Sequence, residues 1–348
     1  MDNIDFLLDD NDNFDSLPEY IQKCLKEGNF KENQKQYIKQ IPWKNTSIQE
    51  IELEYAKNIL DKSHFGMKDV KQQILRYLAC QKHIGTTYGD VLLLVGPPGV
   101  GKTSIVKTIA MSMKRPFVKI SLAGASGSGL LKGYDTNYKD PKPGAIIDAL
   151  IKSKSMCPLI LLDEIDKISK SETNGSLEHV LLDLLDSDRS SFADNMINIP
   201  IDISNVVFVA TANSTKNVSP ILLNRFEIIQ LTGYTHNEKV KIANNYILPE
   251  LISDYKLEAF GLDFTLELIE HIVTQHFHDA GVRSLKRTLK VLIESIILLY
   301  YTEQNIPKVI TVAEYSNIMQ GEISNFERKT IKKQTKKPKK SKIQYNIT

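Results

Sequence analysis

The sequence predicts an α/β protein in which a parallel sheet with helices on both faces is followed by a smaller helical domain. Between residues 90 and 232, short apolar segments alternate with helical ones, as in strands of a parallel sheet. The first apolar segment, Val91–Val95, leads through a glycine-rich turn into a helical segment. After Gly233 the strand pattern stops, and three helical segments follow.

Composition and charge divide the chain and exclude several classes of protein. The 348 residues, 42% of them apolar and 25% charged, suffice for two globular domains. No apolar run approaches the roughly 18 residues that span a bilayer, and the N-terminus lacks the pattern of a signal peptide. The three cysteines are far apart, which favours a reducing compartment. We therefore expect a cytoplasmic or nuclear protein without a membrane partner.

The element pattern predicts five segments. The first 19 residues carry seven acidic residues and no basic one, and residues 328–342 carry nine basic residues and no acidic one. The segments are an acidic, partly flexible N-terminus (1–40), two leading helices (41–88), the α/β domain (89–232), a helical lid (233–327) and a basic tail (328–348).

Each predicted element follows from its local pattern. The strands are expected at Val91–Val95, Pro116–Leu122, Leu159–Leu162 and Val206–Thr211, with Ile228–Leu231 as an edge strand. The helices of the α/β domain are expected at Ser104–Met113, Gly144–Lys154 and Leu177–Leu185, and those of the lid at Glu238–Leu251, Leu266–His278 and Ser284–Tyr301. One leading helix is expected to bury Ile51, Tyr55, Ile59 and Leu60, and His64 is expected to serve a turn or packing role.

The glycine-rich turn has the spacing of a phosphate-binding loop between a strand and a helix. Its residues are Gly96, Pro97, Pro98, Gly99, Val100, Gly101, Lys102 and Thr103, with Ser104 following. Glycines let the backbone N–H groups turn toward phosphate oxygens, and the helix N-terminus adds positive charge. Lys102 is expected to reach the β- and γ-phosphates, and the Thr103 hydroxyl to hold Mg²⁺.

Polar residues that follow two later strands predict hydrolysis. Asp163 and Glu164 end an apolar strand at the sheet edge where the phosphate loop lies. Asp163 is expected to hold Mg²⁺ together with Thr103, and Glu164 to orient or deprotonate the attacking water. Asn213 follows the strand that we expect between the two motif strands, where it can bind the water or the γ-phosphate. The alternative for Asn213 is an ordinary turn asparagine.

These motifs together resemble those of the AAA+ ATPases, and their residue sequences are similar to those of the ATPase module of the Lon protease family. The similar segments are Tyr37–Trp43, Ala56–Gly66, Val70–Ala79, Asp163–Lys167, Gly233–Thr235 and Ala280–Arg283. The resemblance covers about residues 37–326. It implies a P-loop NTPase fold with an α-helical lid, ATP and Mg²⁺ as cofactors, and a homo-oligomeric ring, by analogy a hexamer.

The resemblance also assigns three residues whose position alone would not single them out. Arg225 lies at the arginine-finger position that reaches a neighbouring subunit, and Arg283 at the sensor position on the lid. Tyr138 lies at the aromatic position that grips a polypeptide in the ring pore. The apolar residue and the glycine that follow it in the family are Lys139 and Asp140 here. Aromatic contact alone can anchor a chain, so polypeptide binding stays the expectation.

The expected function is therefore ATP hydrolysis by a ring that unfolds or remodels proteins. No segment resembles the family's peptidase domain, so peptidase activity is not expected, and a separate peptidase is a candidate partner. The lysine-rich residues 328–342 leave three alternatives open: a nuclear signal, a nucleic-acid-binding arm or a solvated end. The alternative function is accordingly an ATPase that binds DNA or RNA through this tail. A nucleotide-gated scaffold without turnover is disfavoured by Glu164 and Arg225.

Overall fold

A computed structural model describes residues 14, 17–85, 91–169, 177–186, 188–303 and 307–319. Contacts between residues divide the chain into two compact units, Met1–Gly233 and Tyr234–Thr348. The acidic residues 1–13 and the basic residues 328–342 lie outside the described part, so the predictions for both chain ends stay predictions.

The first unit is built on a five-stranded parallel sheet. The strands are β1 (Val91–Val95), β2 (Phe117–Ser121), β3 (Leu159–Asp163), β4 (Val207–Ala212) and β5 (Phe226–Gln230). Their order is β2-β3-β4-β1-β5, and every neighbouring pair is parallel. The predicted α/β class is confirmed, and β4 lies between the two motif strands. Strands β1, β3 and β4 are buried along their whole length, which explains their unbroken apolar runs.

Helices precede and connect these strands. Those before the sheet are α1 (Glu19–Glu27), α2 (Glu32–Gln40), α3 (Leu53–Ser63) and α4 (Lys68–Ile84). Those within it are α5 (Lys102–Ser112), α6 (Gly129–Lys132), α7 (Ala145–Ser153), α8 (Leu177–Leu185) and α9 (Pro220–Leu223). Helices α1 and α2 join the main core through Ile21, Leu25 and Ile38, and the Trp43 indole donates to the Ile38 carbonyl at 2.8 Å. The N-terminal helices are thus part of the folded unit.

One predicted buried residue of the leading helices is exposed. Tyr55 is 41% exposed, and the buried residues of α3 are Ala56 and Leu60, one helical turn apart. The Tyr55 ring instead lies 5.9 Å from the Lys114 ammonium, as a surface cation–π contact. The buried face of α3 therefore lies one residue away from the predicted face. Ala56 did not reveal this face in the sequence, because its side chain is small and only weakly apolar.

The second unit is mostly helical but contains strands that the sequence pattern did not predict. Its helices are α10 (His236–Ile242), α11 (Leu248–Asp254), α12 (Leu266–Gln275) and α13 (Arg283–Glu303). Strand β6 (Asp263–Phe264) pairs in parallel with β7 (Val309–Ile310), so the expectation that strands end at Gly233 was wrong. Two-residue strands carry no detectable period, which is why the sequence did not reveal them.

The predicted helix Glu238–Leu251 is interrupted. A π-helical turn, Ala243–Ile247, separates α10 from α11. Pro249 lies in the first turn of α11, where it lacks an N–H and its ring excludes a regular bond to the preceding turn. The wider turn accommodates the proline without ending the helical path.

Candidate active site

The phosphate-loop sequence Gly96–Ser104 forms the turn from β1 into the first residues of α5. Gly99 and Gly101 have φ angles of 82° and 98°, in the left-handed region where glycine is unstrained. A Cβ atom at Gly96 would lie 2.4 Å from the backbone oxygen of Leu231, so this position also requires glycine. Val100 is fully buried and anchors the loop in the core. The turn therefore ends at a helix N-terminus, an arrangement that favours an anion.

Lys102 begins α5, and its side chain turns back toward the loop. Its Nζ donates to the backbone oxygens of Gly96 at 2.5 Å and Pro97 at 3.0 Å. It also donates to Oδ1 of Asn213 at 3.0 Å, which brings together two residues predicted from distant segments. These three acceptors are neutral oxygens, so the contacts orient the ammonium group without cancelling its charge.

Thr211 connects the two predicted acidic residues. This fully buried residue of β4 donates its hydroxyl hydrogen to Oδ1 of Asp163. The same hydroxyl oxygen accepts the backbone N–H of Glu164 at 3.1 Å. Thr211 thus fixes the end of β3 and the first residue beyond it from the adjacent strand. Sequence reasoning missed Thr211, and the only signal was a hydroxyl inside an apolar strand.

Glu164 is held in an unusual backbone conformation that leaves its carboxylate accessible. Its φ angle of 61° lies in the left-handed region, which is uncommon for a residue with a Cβ atom. Its side chain is 32% exposed and accepts a hydrogen bond from Lys167 Nζ at 2.6 Å. Because the Lys167 side chain is also 48% exposed, water screens this ion pair and exchange of partners costs little.

Asp163 is a nearly buried carboxylate that faces cationic groups. Its Oδ2 lies 2.5 Å from Nζ of Lys119 on β2, a partner that sequence reasoning did not identify. Burial by itself raises the pKa of Asp163, but the hydrogen bonds from Lys119 and Thr211 outweigh burial and lower it. The positive charges of Lys119 and Lys102 lower this pKa further. The carboxyl group is therefore ionised at neutral pH.

The residues fit a Mg²⁺ ion that is bound together with a nucleotide. Thr103 supplies a half-buried hydroxyl in the first turn of α5, and Asp163 supplies an ionised carboxylate. Within the ranges that the structure covers, no cluster of three or more His, Cys, Asp or Glu side chains is placed to hold a metal. Mg²⁺ commonly takes only one or two protein ligands, and phosphate oxygens and water supply the others. The pair of oxygen donors suits this mode rather than a cage made of protein alone.

The remaining predicted residues lie in other parts of the structure. Arg225 immediately precedes β5, and its side chain, 45% exposed, forms an ion pair with Asp186 at 3.4 Å. Arg283 is the first residue of α13 in the second unit. Tyr138 lies in the loop between α6 and α7 and is 59% exposed. Within the first unit, the structure thus brings together the loop, Asp163, Glu164 and Asn213. Arg225 belongs to the same unit but pairs with Asp186, a partner that sequence reasoning missed.

Comparisons with known proteins agree with this arrangement. A family profile described as the ATPase family associated with various cellular activities (AAA) matches residues 92–234. The mitochondrial Lon protease homologue of Schizosaccharomyces pombe is 39% identical over 273 residues, which are 78% of this chain and 26% of that protein. A Lon protease of Finegoldia magna is 40% identical over 272 residues, 78% of this chain and 35% of the relative.

A third relative shows the same pattern of coverage. The mitochondrial Lon protease homologue of Saccharomyces cerevisiae is 41% identical over 255 residues, 73% of this chain and 22% of that protein. The chain therefore spans between about a fifth and about a third of the length of these relatives. Among the helices of the described ranges, none has the length and apolarity required to cross a membrane. The phosphate loop, the parallel sheet and these similarities show that the chain carries an AAA ATPase module of the Lon family.

Proposed function

We propose that this protein hydrolyses ATP in the presence of Mg²⁺ and uses the energy to unfold or remodel proteins. The observation that carries the proposal is the link through Thr211 between Asp163 and Glu164. Thr211 lies on β4, the strand that Asn213 follows. This link supports an ionised metal-binding carboxylate and an accessible carboxylate at adjacent positions. In the proposed reaction the first carboxylate would hold Mg²⁺ and the second would accept a proton from the attacking water.

Each residue of the site has a separate part in the proposed reaction. The loop N–H groups and Lys102 bind the phosphates, while Thr103 and Asp163 would hold Mg²⁺. When bound, Mg²⁺ supplies positive charge that stabilises the charge developing on the phosphate oxygens. Glu164 accepts the proton of the attacking water, and Asn213 orients that water or the γ-phosphate.

The proposal includes a homo-oligomeric ring, by family analogy a hexamer. Arg225 is half-exposed and lies beside edge strand β5, so it is available to a neighbouring subunit. An arginine finger in this role accelerates hydrolysis by about 10³–10⁵-fold. Its contact with Asp186 is solvent-accessible on both sides and therefore weak enough to exchange. Arg283 of the lid is proposed to contact the γ-phosphate in its own subunit.

Polypeptide is the proposed substrate because the relatives are proteases by name and Tyr138 is exposed. A separate peptidase is proposed as a candidate partner.

The basic residues 328–342 favour DNA or RNA binding as the second candidate function. Salt-sensitive binding of an oligonucleotide, lost on truncation after Phe326, would favour this second function, and unchanged affinity of the truncated chain would reject it.

A pair of variants tests the hydrolysis proposal. Glu164→Gln is expected to bind ATP with unchanged affinity but to hydrolyse it at least about 100-fold more slowly, since the proton acceptor is lost. Lys102→Ala is expected to lose ATP binding itself. Equilibrium binding of a fluorescent ATP analogue and steady-state phosphate release measure the two effects separately. Hydrolysis by Glu164→Gln within threefold of the wild-type rate would contradict the assigned role.

A further inference from the structure

The loop that contains Tyr138 carries a second exposed aromatic ring. Tyr134 is 36% exposed and Tyr138 is 59% exposed. Their ring centroids lie 5.2 Å apart, and the ring planes are tilted by 54°. Two rings in this contact form one continuous apolar surface, larger than a single tyrosine offers. We refer to these two residues as the tyrosine pair.

The base of this loop is held rigidly on both sides. The Tyr134 N–H donates to the Lys142 carbonyl at 2.9 Å, which closes the loop with an antiparallel bridge. The buried Asp194 accepts the backbone N–H of Gly144 at 2.7 Å, where the loop leads into α7. A Cβ atom at Gly144 would lie 1.9 Å from the Leu131 carbonyl oxygen, so the two ends of the loop are in close backbone contact.

The tip of the loop is also ordered by hydrogen bonds. The backbone N–H groups of Asn137 and Tyr138 donate to the side chain and the carbonyl of Asp135, at 2.7 Å and 3.1 Å. Lys31 at the start of α2 donates from Nζ to the Thr136 carbonyl at 2.9 Å. Fixed backbone on both sides of the rings lowers the entropy lost when a ligand binds to them.

The charges around the tyrosine pair identify the class of ligand. Residues 134–142 contain two acidic and two basic residues, and Lys31 adds one positive charge beside the Thr136 carbonyl. The neighbouring Lys132 forms an ion pair with Asp183 at 3.0 Å. Single-stranded nucleic acid binds to aromatic rings within a positively charged groove, which one additional lysine does not provide. An aromatic surface with so little net charge instead suits an extended polypeptide with apolar side chains.

We propose that Tyr134 is a second substrate-contacting residue, and that the tyrosine pair binds extended, apolar segments of polypeptide. The inference rests on the proposed function, because it assigns the loop to substrate contact. The residue that follows Tyr138 is the charged Lys139, which adds little apolar area. The Tyr134 ring, in contact with Tyr138, instead supplies the second apolar surface of the loop.

Binding of a labelled, permanently unfolded polypeptide to the full-length chain tests the inference. The assay follows fluorescence anisotropy with a reduced and carboxymethylated protein as the probe, in the presence of a non-hydrolysable ATP analogue. Tyr134→Ala and Tyr138→Ala are each expected to weaken binding about 5–10-fold, since each removes part of one aromatic contact. Tyr134→Phe is expected to remain within twofold of the wild type.

Two further variants separate contact from folding. The Tyr134 ring lies over Gly129, so closely that a Cβ atom on this glycine would be only 2.4 Å from the ring. Tyr134→Leu therefore serves as a variant that removes the aromatic ring but keeps an apolar side chain over Gly129. Tyr301→Ala removes a tyrosine that is 78% exposed on the second unit and is expected to change nothing. Equal binding by the wild type, Tyr134→Ala and Tyr134→Leu would overturn the inference, as would the absence of polypeptide binding.

Parallel measurements distinguish this inference from the proposed function. Binding that depends on Tyr134, without stimulation of ATP hydrolysis by the polypeptide, would support the tyrosine pair and contradict the remodelling function. Stimulation that is lost in Tyr138→Ala but retained in Tyr134→Ala would support remodelling and reject the second contact. A labelled oligothymidine probe that binds more tightly than the polypeptide, and depends on both rings, would overturn the assignment of the ligand class.

Discussion

Replacing Thr211 by valine isolates the contact that joins Asp163 and Glu164. Valine has nearly the same shape as threonine but cannot donate to the Asp163 carboxylate or accept the Glu164 N–H. A hydrogen bond to a charged group contributes about 1.5–3 kcal/mol, and a buried N–H left without an acceptor costs about 1–3 kcal/mol. Because the two effects share one hydroxyl group, we expect Thr211→Val to lower the free energy of unfolding by about 2–4 kcal/mol.

The same substitution is expected to reduce catalysis more than folding alone explains. The left-handed backbone of Glu164, with φ of 61°, is stabilised by its bond to Thr211, so its carboxylate loses its fixed position in the variant. We expect kcat for ATP hydrolysis to fall at least about tenfold at a temperature where the variant is fully folded. Thr211→Ser keeps the hydroxyl and loses one methyl group, so it is the matched control, with a cost of about 1 kcal/mol.

Denaturant unfolding and steady-state hydrolysis of the two variants measure both effects. Serine is expected to retain most of the activity, whereas valine is not. If Thr211→Val and Thr211→Ser unfold at the same denaturant concentration and have kcat values within twofold, the account of the Thr211 link is wrong.

Three other predictions concern pH dependence, the lid and the arginine contact. Burial, followed by the charge of Lys71, lowers the pKa of His64 from 6.5 to about 4, so protonation favours the unfolded chain. Stability should fall by about 2 kcal/mol from pH 7.5 to pH 5, and His64→Gln should flatten this slope; parallel unfolding profiles would contradict it. Lys239 is buried and donates to two backbone carbonyls, so Lys239→Met should cost about 2–4 kcal/mol in thermal unfolding, whereas the exposed Lys290→Met should cost under 1 kcal/mol. Asp186→Asn removes the exposed ion pair of Arg225 and should change stability by less than about 1 kcal/mol; a larger loss would mean that this contact holds the fold.

The sheet was predictable from the sequence because its strands are buried and uniformly apolar. Strand β3 differs from its predicted range by one residue at its end, and β4 lies between the motif strands as expected. The phosphate loop was predictable because its backbone requires glycines, Gly99 and Gly101 at φ angles that other residues rarely adopt and Gly96 where a Cβ atom would clash with Leu231. In both cases the signal is local, within about ten residues.

The partners of the site residues were not predictable, because they depend on the pairing of distant strands. The parallel register places Ser121 opposite Asp163, and Lys119, two residues earlier on the same face of β2, can then reach the carboxylate. Thr211 depends in the same way on the pairing of β3 with β4. Tyr134 was missed because the resemblance draws attention to one aromatic position, whereas the ring contact arises from the folded loop.

Mixing two inactive variants tests the central proposal, a ring in which each site is completed by a neighbour. Glu164→Gln retains Arg225 but lacks the proton acceptor, and Arg225→Ala retains Glu164 but lacks the finger. In a ring with the finger acting between subunits, mixed assemblies contain some complete sites. We therefore predict that a mixture of the two hydrolyses ATP faster than the mean of the separate preparations, with a rate that rises steeply with protein concentration. A mixture that equals this mean at every concentration, while the wild type is active, would contradict the ring account.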